Sequence, residues 1–306
     1  MNGLKIGVLI YTYNRTDDAR INMEIIRNVW SKNETLKDVK IIHSFNGENG
    51  WWPEKYLEDD LLYLENSGHF GGAEILINAG VKTFEEKYPD LDYIIILASD
   101  TWLVIPEYIE KLIVGMKEEE KYLSTSVWGT KKANDIFKKG AGLDFCILDF
   151  KWALRSGLFP IGYKEFADKF EDLFFYNDQT IYIEILFMAR FLQAIKKTVK
   201  LPSENIAKRV AESFVQRMKD REPVHVNGLE SFFFKKSSYV RTMYWPKIGL
   251  ITHHDPITKQ RVLKSWNLEL GQFGKKFLES KDVSYFNNGV NQHKFVKNGK
   301  NINYHD

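Results

Sequence analysis

The sequence predicts an α/β protein, a mostly parallel central sheet with helices on both faces, followed by a C-terminal extension. Three observations carry this. Short, continuous apolar runs alternate with segments of helical periodicity over residues 1–120. The most hydrophobic run, residues 93–98 (YIIILA), lies within that alternation and reads as a strand buried on both faces. The chain has 306 residues, 44% apolar and 27% charged, enough for one large core.

Residues 5–11 (KIGVLIY) read as the first strand. Residues 17–30 follow with Ile21, Ile25 and Val29 at helical spacing, capped by Thr16 or Asp17. Residues 39–45 are a second strand ending at Asn46-Gly47, and 61–64 a short third. Residues 71–88 read as a helix, 93–98 as a strand, and 106–117 as a helix with Pro106 at its start. In the middle section, 143–150 is a strand and 151–156 a short helix closed by Gly157. Residues 180–194 form a strongly apolar helix, and 204–219 an amphipathic one. Residues 232–234 and 248–252 look like late strands. Strand–helix alternation implies parallel strands joined by right-handed crossovers. Ligands of such sheets bind at the carboxyl ends of the strands. Residues 12–15, Asn46-Gly47 and 99–101 are polar clusters at those ends and are expected to converge.

Composition excludes several classes. A net charge of +2 gives no general case for nucleic acid. The single cysteine, Cys146, excludes an internal disulfide framework and fits a reducing compartment. No run of about 18 apolar residues is present to span a membrane, and no signal-peptide pattern opens the chain, so a cytoplasmic enzyme is expected. There is no GxGxxG after the first strand, no P-loop GK[ST] and no GxSxG elbow. Among 8 Trp, 15 Tyr and 21 Phe, Trp51, Trp52 and Trp102 adjoin predicted loops. They are the candidates for stacking against a sugar ring; the others read as core.

Three segments, in order, resemble the glycosyltransferase family 2-like, GT-A group. The opening IGVLIYTYNR is similar to its first strand. Residues 66–73 (NSGHFGGA) with 76–80 (LINAG) resemble its N-x-G-x-x-x-G…N-x-G segment. Residues 93–103 (YIIILASDTWL) resemble the strand that carries its Asp-x-Asp metal motif, here Ala98-Ser99-Asp100 with only the last acid retained. The resemblance implies a GT-A domain over residues 1–255, with a donor half (1–120) and an acceptor half (121–255), and a basic extension over 256–306. It implies transfer of a sugar from a UDP- or dTDP-sugar to a glycan or lipid-linked acceptor, with inversion. A divalent cation, Mg2+ or Mn2+, would bridge the diphosphate oxygens.

On that resemblance Asp100 is the metal ligand; the competing reading is a turn or helix cap before Pro106. Donor contacts fall to Thr12, Tyr13, Arg15, Asn46, Asn66, Gly68, Ser99 and Asp100. Tyr13 would stack on the base and Arg15 reach a phosphate. Asn46, at a position where the group often has a base-contacting Asp, can donate to and accept from uracil or thymine, or be an ordinary Asn-Gly turn. His253 or His254, in a His-His-Asp run after a predicted strand, would join the metal or the diphosphate. The general base is Asp178, with Asp172 of Glu171-Asp172 as the alternative and an N-cap as the competing role for Asp178. The last 48 residues, 259–306, carry nine Lys/Arg against four Asp/Glu. They either contact anionic lipid at the inner membrane surface or form a solvated tail. A sugar-1-phosphate nucleotidyltransferase would need a Gly-rich loop after the first strand, where residues 12–18 have no glycine. A retaining transferase and a non-catalytic nucleotide or glycan binder remain the rivals.

Overall fold

The computed structural model describes residues 3–13, 16–47, 55–67, 69–99, 101–103, 106–118, 120–129, 139–169, 175–176, 179–180, 183–195, 225–235, 238–244, 250–251, 295–297 and 300–302. Its elements are β1 (Ile6–Thr12), α1 (Thr16–Asn28), β2 (Lys40–Phe45), β3 (Asp60–Tyr63), α2 (His69–Lys87), β4 (Tyr93–Ala98) and β5 (Trp102–Leu103). They continue with α3 (Pro106–Glu118), β6 (Leu123–Gly129), β7 (Lys139–Asp149), α4 (Phe150–Ser156), α5 (Tyr163–Lys169), β8 (Phe175–Tyr176), β9 (Gln179–Thr180) and α6 (Ile183–Ile195). The last are β10 (His225–Lys235), β11 (Ser238–Tyr244), β12 (Leu250–Ile251), β13 (Phe295–Lys297) and β14 (Lys300–Ile302).

Eight strands form one sheet in the order β11-β10-β6-β7-β4-β1-β2-β3. Pairings among β4, β1, β2 and β3 are parallel, as the strand–helix alternation predicts. From β4 outward through β7, β6, β10 and β11 every pairing is antiparallel. The expectation of a mostly parallel sheet is therefore corrected to a mixed one. β6 and β7 are consecutive strands that pair antiparallel, and β7 runs back beside β4.

Both faces of the sheet are covered. Ile6, Val8, Ile10, Ile95, Leu97, Phe145 and Ile147 point into a cluster with Ile25, Trp30 and Ile113, which come from α1, the turn after it and α3. Leu9, Ile42, Ile94, Ile96, Cys146 and Leu148 point the other way, against Ile77, Val81 and Phe84 of α2 and Phe187 and Phe191 of α6. Burial of alternate side chains in opposite cores explains why β1 and β4 read as unbroken apolar runs. Gly80 fixes the seating of α2: a Cβ there would stand 2.2 Å from Leu9 Cδ1 of β1. Asp149 caps α4 by accepting from the Trp152 N–H at 2.8 Å, and Gly157 closes it at φ 68°.

Other differences from the sequence reading have physical sources. α6 starts at Ile183 rather than 180, because Phe175–Tyr176 and Gln179–Thr180 pair as a short hairpin first. β6, β11 and α5 went unread, since their apolar residues are interspersed with Ser, Thr and Lys. Trp102 is 1% exposed, and its Nε1 donates to the Asp18 carbonyl at 3.3 Å, so it is a core residue and no sugar platform. Trp51, Trp52 and the helix expected at 204–219 lie outside the described residues. No described helix is long and apolar enough to cross a membrane.

Candidate functional site

The carboxyl ends of the parallel strands come together. Thr12 is paired with Phe45, Tyr11 with Ala98, and Phe45 with Tyr63, so β1, β2, β4 and β3 finish level with one another. The chains stay joined just past the strands: Asn46 donates its N–H to the Thr12 carbonyl at 3.2 Å, and Ser99 to the Tyr11 carbonyl at 3.2 Å. Gly47 permits the closest approach, since a Cβ there would meet the Tyr13 carbonyl oxygen at 2.2 Å. Thr12, Asn46 and Ser99 are buried, whereas Tyr13 is 43% exposed at the rim.

The N-terminal turn of α2 leans on the same place. A Cβ on Gly72 would stand 2.8 Å from Asn46 Nδ2 and 3.5 Å from Asn66 Oδ1, so this glycine leaves room for both asparagines. Asn46 is 3% exposed, and its Oδ1 has no hydrogen-bond partner among the described residues. A buried amide oxygen left this way is costly, which marks it as an atom made to meet a donor.

Beneath this edge lies a buried polar group that sequence reasoning missed. His43 Nε2 is 2.9 Å from Thr12 Oγ1, and Glu58 Oε1 is 4.0 Å from the other ring nitrogen. Glu58 Oε2 accepts from the N–H groups of Tyr56 and Leu57 at 3.1 and 3.0 Å. Burial pushes His43 down to about 3, so despite the nearby carboxylate the imidazole is neutral near pH 7. The signal was present as a histidine inside the apolar run of β2.

This has a measurable consequence. A histidine whose folded pKa is depressed takes up its proton in the unfolded chain first, so stability falls as pH drops from about 6.5 towards 3. The slope from this residue is about 1.4 kcal/mol per pH unit. Urea midpoints of the wild type and His43→Gln, measured between pH 7 and 4, should converge as pH falls; parallel curves would refute the assignment.

The segment after β4 is clamped from α1. Asn22, fully buried, donates from Nδ2 to the carbonyls of Ala98 at 3.3 Å and Thr101 at 2.9 Å. Thr101 donates its N–H to the Ala98 carbonyl at 3.0 Å, and Trp30 Nε1 donates to the Leu103 carbonyl at 2.8 Å. Asn22 was legible only as a polar residue among apolar neighbours on α1. β12 pairs antiparallel with β5, Ile251 opposite Trp102 and Leu250 opposite Leu103.

Asn78 and Glu74 of the motif-bearing helix turn out to be braces. Asn78 Oδ1 accepts from the Ile161 N–H at 2.9 Å, and Glu74 accepts from the N–H groups of Tyr163 and Lys164 at 2.7 and 2.9 Å. They fasten the start of α5 and Ile161 before it to α2.

Of the residues expected from sequence, the structure brings together Thr12, Tyr13, Asn46, Asn66 and Ser99. Arg15, Gly68, Asp100, Asp172, Asp178, His253 and His254 lie outside the described residues. Among the described residues no three His, Cys, Asp or Glu side chains form a metal-binding group. Two cavities of about 340 and 680 Å³ open at the opposite edge of the sheet, where Lys151–Asp92 and Lys5–Asp90 ion pairs at 2.9 and 3.1 Å line them. They are remote from the strand-end polar groups.

No protein-family profile matches the chain, and no curated protein matches it. Several solved structures resemble it in part. The mannosyltransferase PcManGT from Pyrobaculum calidifontis, in complex with GDP-Man and Mn2+, is 12% identical over 49% of this chain and 46% of its own, with a TM-score of 0.33. S. aureus TarS in complex with UDP is 12% identical over 71% of this chain and 72% of its own, TM-score 0.38. The galactosyltransferase LgtC, in complex with donor and acceptor sugar analogues, is 9% identical over 62% and 70%, TM-score 0.38. The chain thus spans less than half of the mannosyltransferase's length, and likenesses at this level establish neither a family nor an activity for it.

Proposed function

We propose that the protein is a cytoplasmic GT-A-type glycosyltransferase that moves a sugar from a nucleoside-diphosphate sugar to an acceptor hydroxyl with inversion. The observation that carries this reading is the carboxyl edge of the sheet, where Thr12, Asn46 and Ser99 meet and Asn46 Oδ1 is buried without a protein partner among the described residues. A pyrimidine such as uracil or thymine supplies the missing donor through N3–H and an adjoining carbonyl for Nδ2. Tyr13 offers a ring face at the rim, and the first turn of α2 offers backbone N–H groups suited to a phosphate.

Asp100, His253 and His254 would hold the divalent cation. A carboxylate with imidazoles suits Mn2+, and the carboxylate alone suits Mg2+. The β5–β12 pairing supports the set: Asp100 is two residues before Trp102 and His253 two residues after its partner Ile251. Two residues span at most about 7 Å, so both groups are tethered to one point. The cation, when bound, would neutralise the diphosphate leaving group. Asp178, or Asp172, takes the acceptor proton. The acceptor is a glycan or lipid-linked sugar, and the basic residues 256–306 would bring the enzyme against an anionic membrane surface.

A thermal-shift screen of nucleotide-sugars with and without Mn2+ tests this. A UDP- or dTDP-sugar should raise the melting temperature in a Mn2+-dependent way; no shift with any donor would overturn the reading. Asn46→Ala should weaken the nucleotide about tenfold, the order expected for one buried hydrogen-bonding group, with little change in kcat. Titration calorimetry with UDP reads it directly.

A further inference from the structure

Asn46 stands at the strand-end edge with its amide unpinned. The residue is 3% exposed, and among the described residues its side chain takes part in no hydrogen bond. Nδ2 lies beside Gly72, which puts no side chain there: a Cβ would stand 2.8 Å away. Ser44, two residues earlier and on the same side of β2 by alternation, is also buried, and its Oγ has no partner among the described residues. A hydroxyl donates or accepts by rotation, so it favours neither end of an amide.

Turning the Asn46 amide over exchanges Oδ1 and Nδ2. Terminal amide torsions of this kind are soft and two-fold, and here the turn breaks no hydrogen bond among the described residues. The two orientations meet different bases. In one, Oδ1 accepts from the N3–H of uracil or thymine while Nδ2 donates to the adjoining carbonyl. In the other, Nδ2 donates to N3 of cytosine while Oδ1 accepts from its N4 amino group. Each arrangement makes a pair of hydrogen bonds. Choosing between the bases needs a group that only accepts, such as a carboxylate, or one that only donates, such as an ammonium. The side chains brought together at this edge, Thr12, Tyr13, Asn46, Asn66 and Ser99, are all hydroxyls and amides, which do both.

We propose that Asn46 recognises a pyrimidine without choosing between uracil or thymine and cytosine, so that the site takes cytidine diphosphates as well as uridine and thymidine diphosphates. This rests on the reading of the strand-end edge as the nucleotide site. It widens the donor class to CDP-sugars.

The test is titration calorimetry of the full chain with UDP and with CDP, Mn2+ present in both. The two should bind wild type within about threefold of one another. Asn46→Ala should weaken both about tenfold and to the same extent. Asn46→Asp keeps an acceptor for the N3–H of uracil but sets oxygen against N3 of cytosine. The ratio of UDP to CDP affinity should therefore rise about tenfold or more, the scale of one bidentate base contact. The ratio cancels the repulsion that the new charge exerts on both diphosphates. A wild-type preference of about tenfold or more for either nucleotide overturns the proposal and leaves the nucleotide site in place. Asn46→Ala binding both as wild type does, or Asn46→Asp with an unchanged ratio, overturns it equally. Failure of wild type to bind either nucleotide overturns the reading of the site and this inference with it. If Asn46→Asp does not fold, the wild-type ratio and Asn46→Ala decide the matter.

Discussion

Asp100→Asn is expected to lower kcat/KM by at least about a hundredfold, the scale on which loss of electrostatic support for a leaving group acts. It should also abolish the Mn2+ dependence of UDP binding. The argument is one of preorganisation. The residues on either side of Asp100 are anchored before any ligand arrives: Asn22 holds the carbonyls of Ala98 and Thr101, Trp102 is tied to Asp18, and Trp30 to Leu103. All of these anchors are made by other side chains, so the substitution should leave the melting temperature of the apo protein within about 1–2 °C of wild type. A variant that keeps wild-type turnover and metal dependence would show that Asp100 merely ends the strand, as a turn cap does. The same geometry separates Asp100 from Asn22. Asn22→Leu loses the anchor and should cost both stability and affinity, whereas Asp100→Asn should cost affinity and turnover alone.

Much of the fold was legible because its elements obey local rules. β4 is apolar on both sides and was read at Tyr93–Ala98, the bounds the structure has. α3 begins at Pro106 and α4 ends at Gly157, where proline and glycine have positional preferences. The expectation that polar strand ends converge followed from topology alone, and Thr12, Asn46 and Ser99 are now seen side by side.

What was hidden depends on pairing across long separations. That Asn22 reaches residues 76 and 79 positions away leaves no local trace. His43 looked like one more residue of a strand, and its link to Thr12 exists only because β1 and β2 pair in one particular register. The irregularity on β7 was also unread, because nothing local shows that its register against β6 shifts between Thr125 and Ser126. The share of antiparallel pairing was also underestimated, since the sheet was expected to be mostly parallel. The length of the connections, and not the composition of the strands, decides that. Asn78 and Gly80 were read through a family pattern; their physical roles are a bond to Ile161 and a close approach to Leu9.

The second large effect is expected at the acceptor side. Asp178→Asn should lower kcat by about a hundredfold to ten-thousandfold, the usual contribution of a general base, while UDP affinity stays near wild type. Two features of the structure bear on the choice between Asp178 and Asp172. Phe175–Tyr176 pairs with Gln179–Thr180, so Asp178 belongs to the two-residue link between paired strands. α6 spans Ile183–Ile195, so Asp178 stands five residues before it in the sequence. A base must be held within hydrogen-bond reach of the hydroxyl it deprotonates, and Asp178 is next in sequence to the paired Gln179. The deciding measurement is kcat against pH for wild type, Asp178→Asn and Asp172→Asn. Loss of turnover and of the acidic limb in Asp178→Asn alone assigns the base there, and the same result in Asp172→Asn alone moves it. Should both variants keep the acidic limb, the proton acceptor lies elsewhere, and buried Glu184 in the first turn of α6 is the next carboxylate to replace.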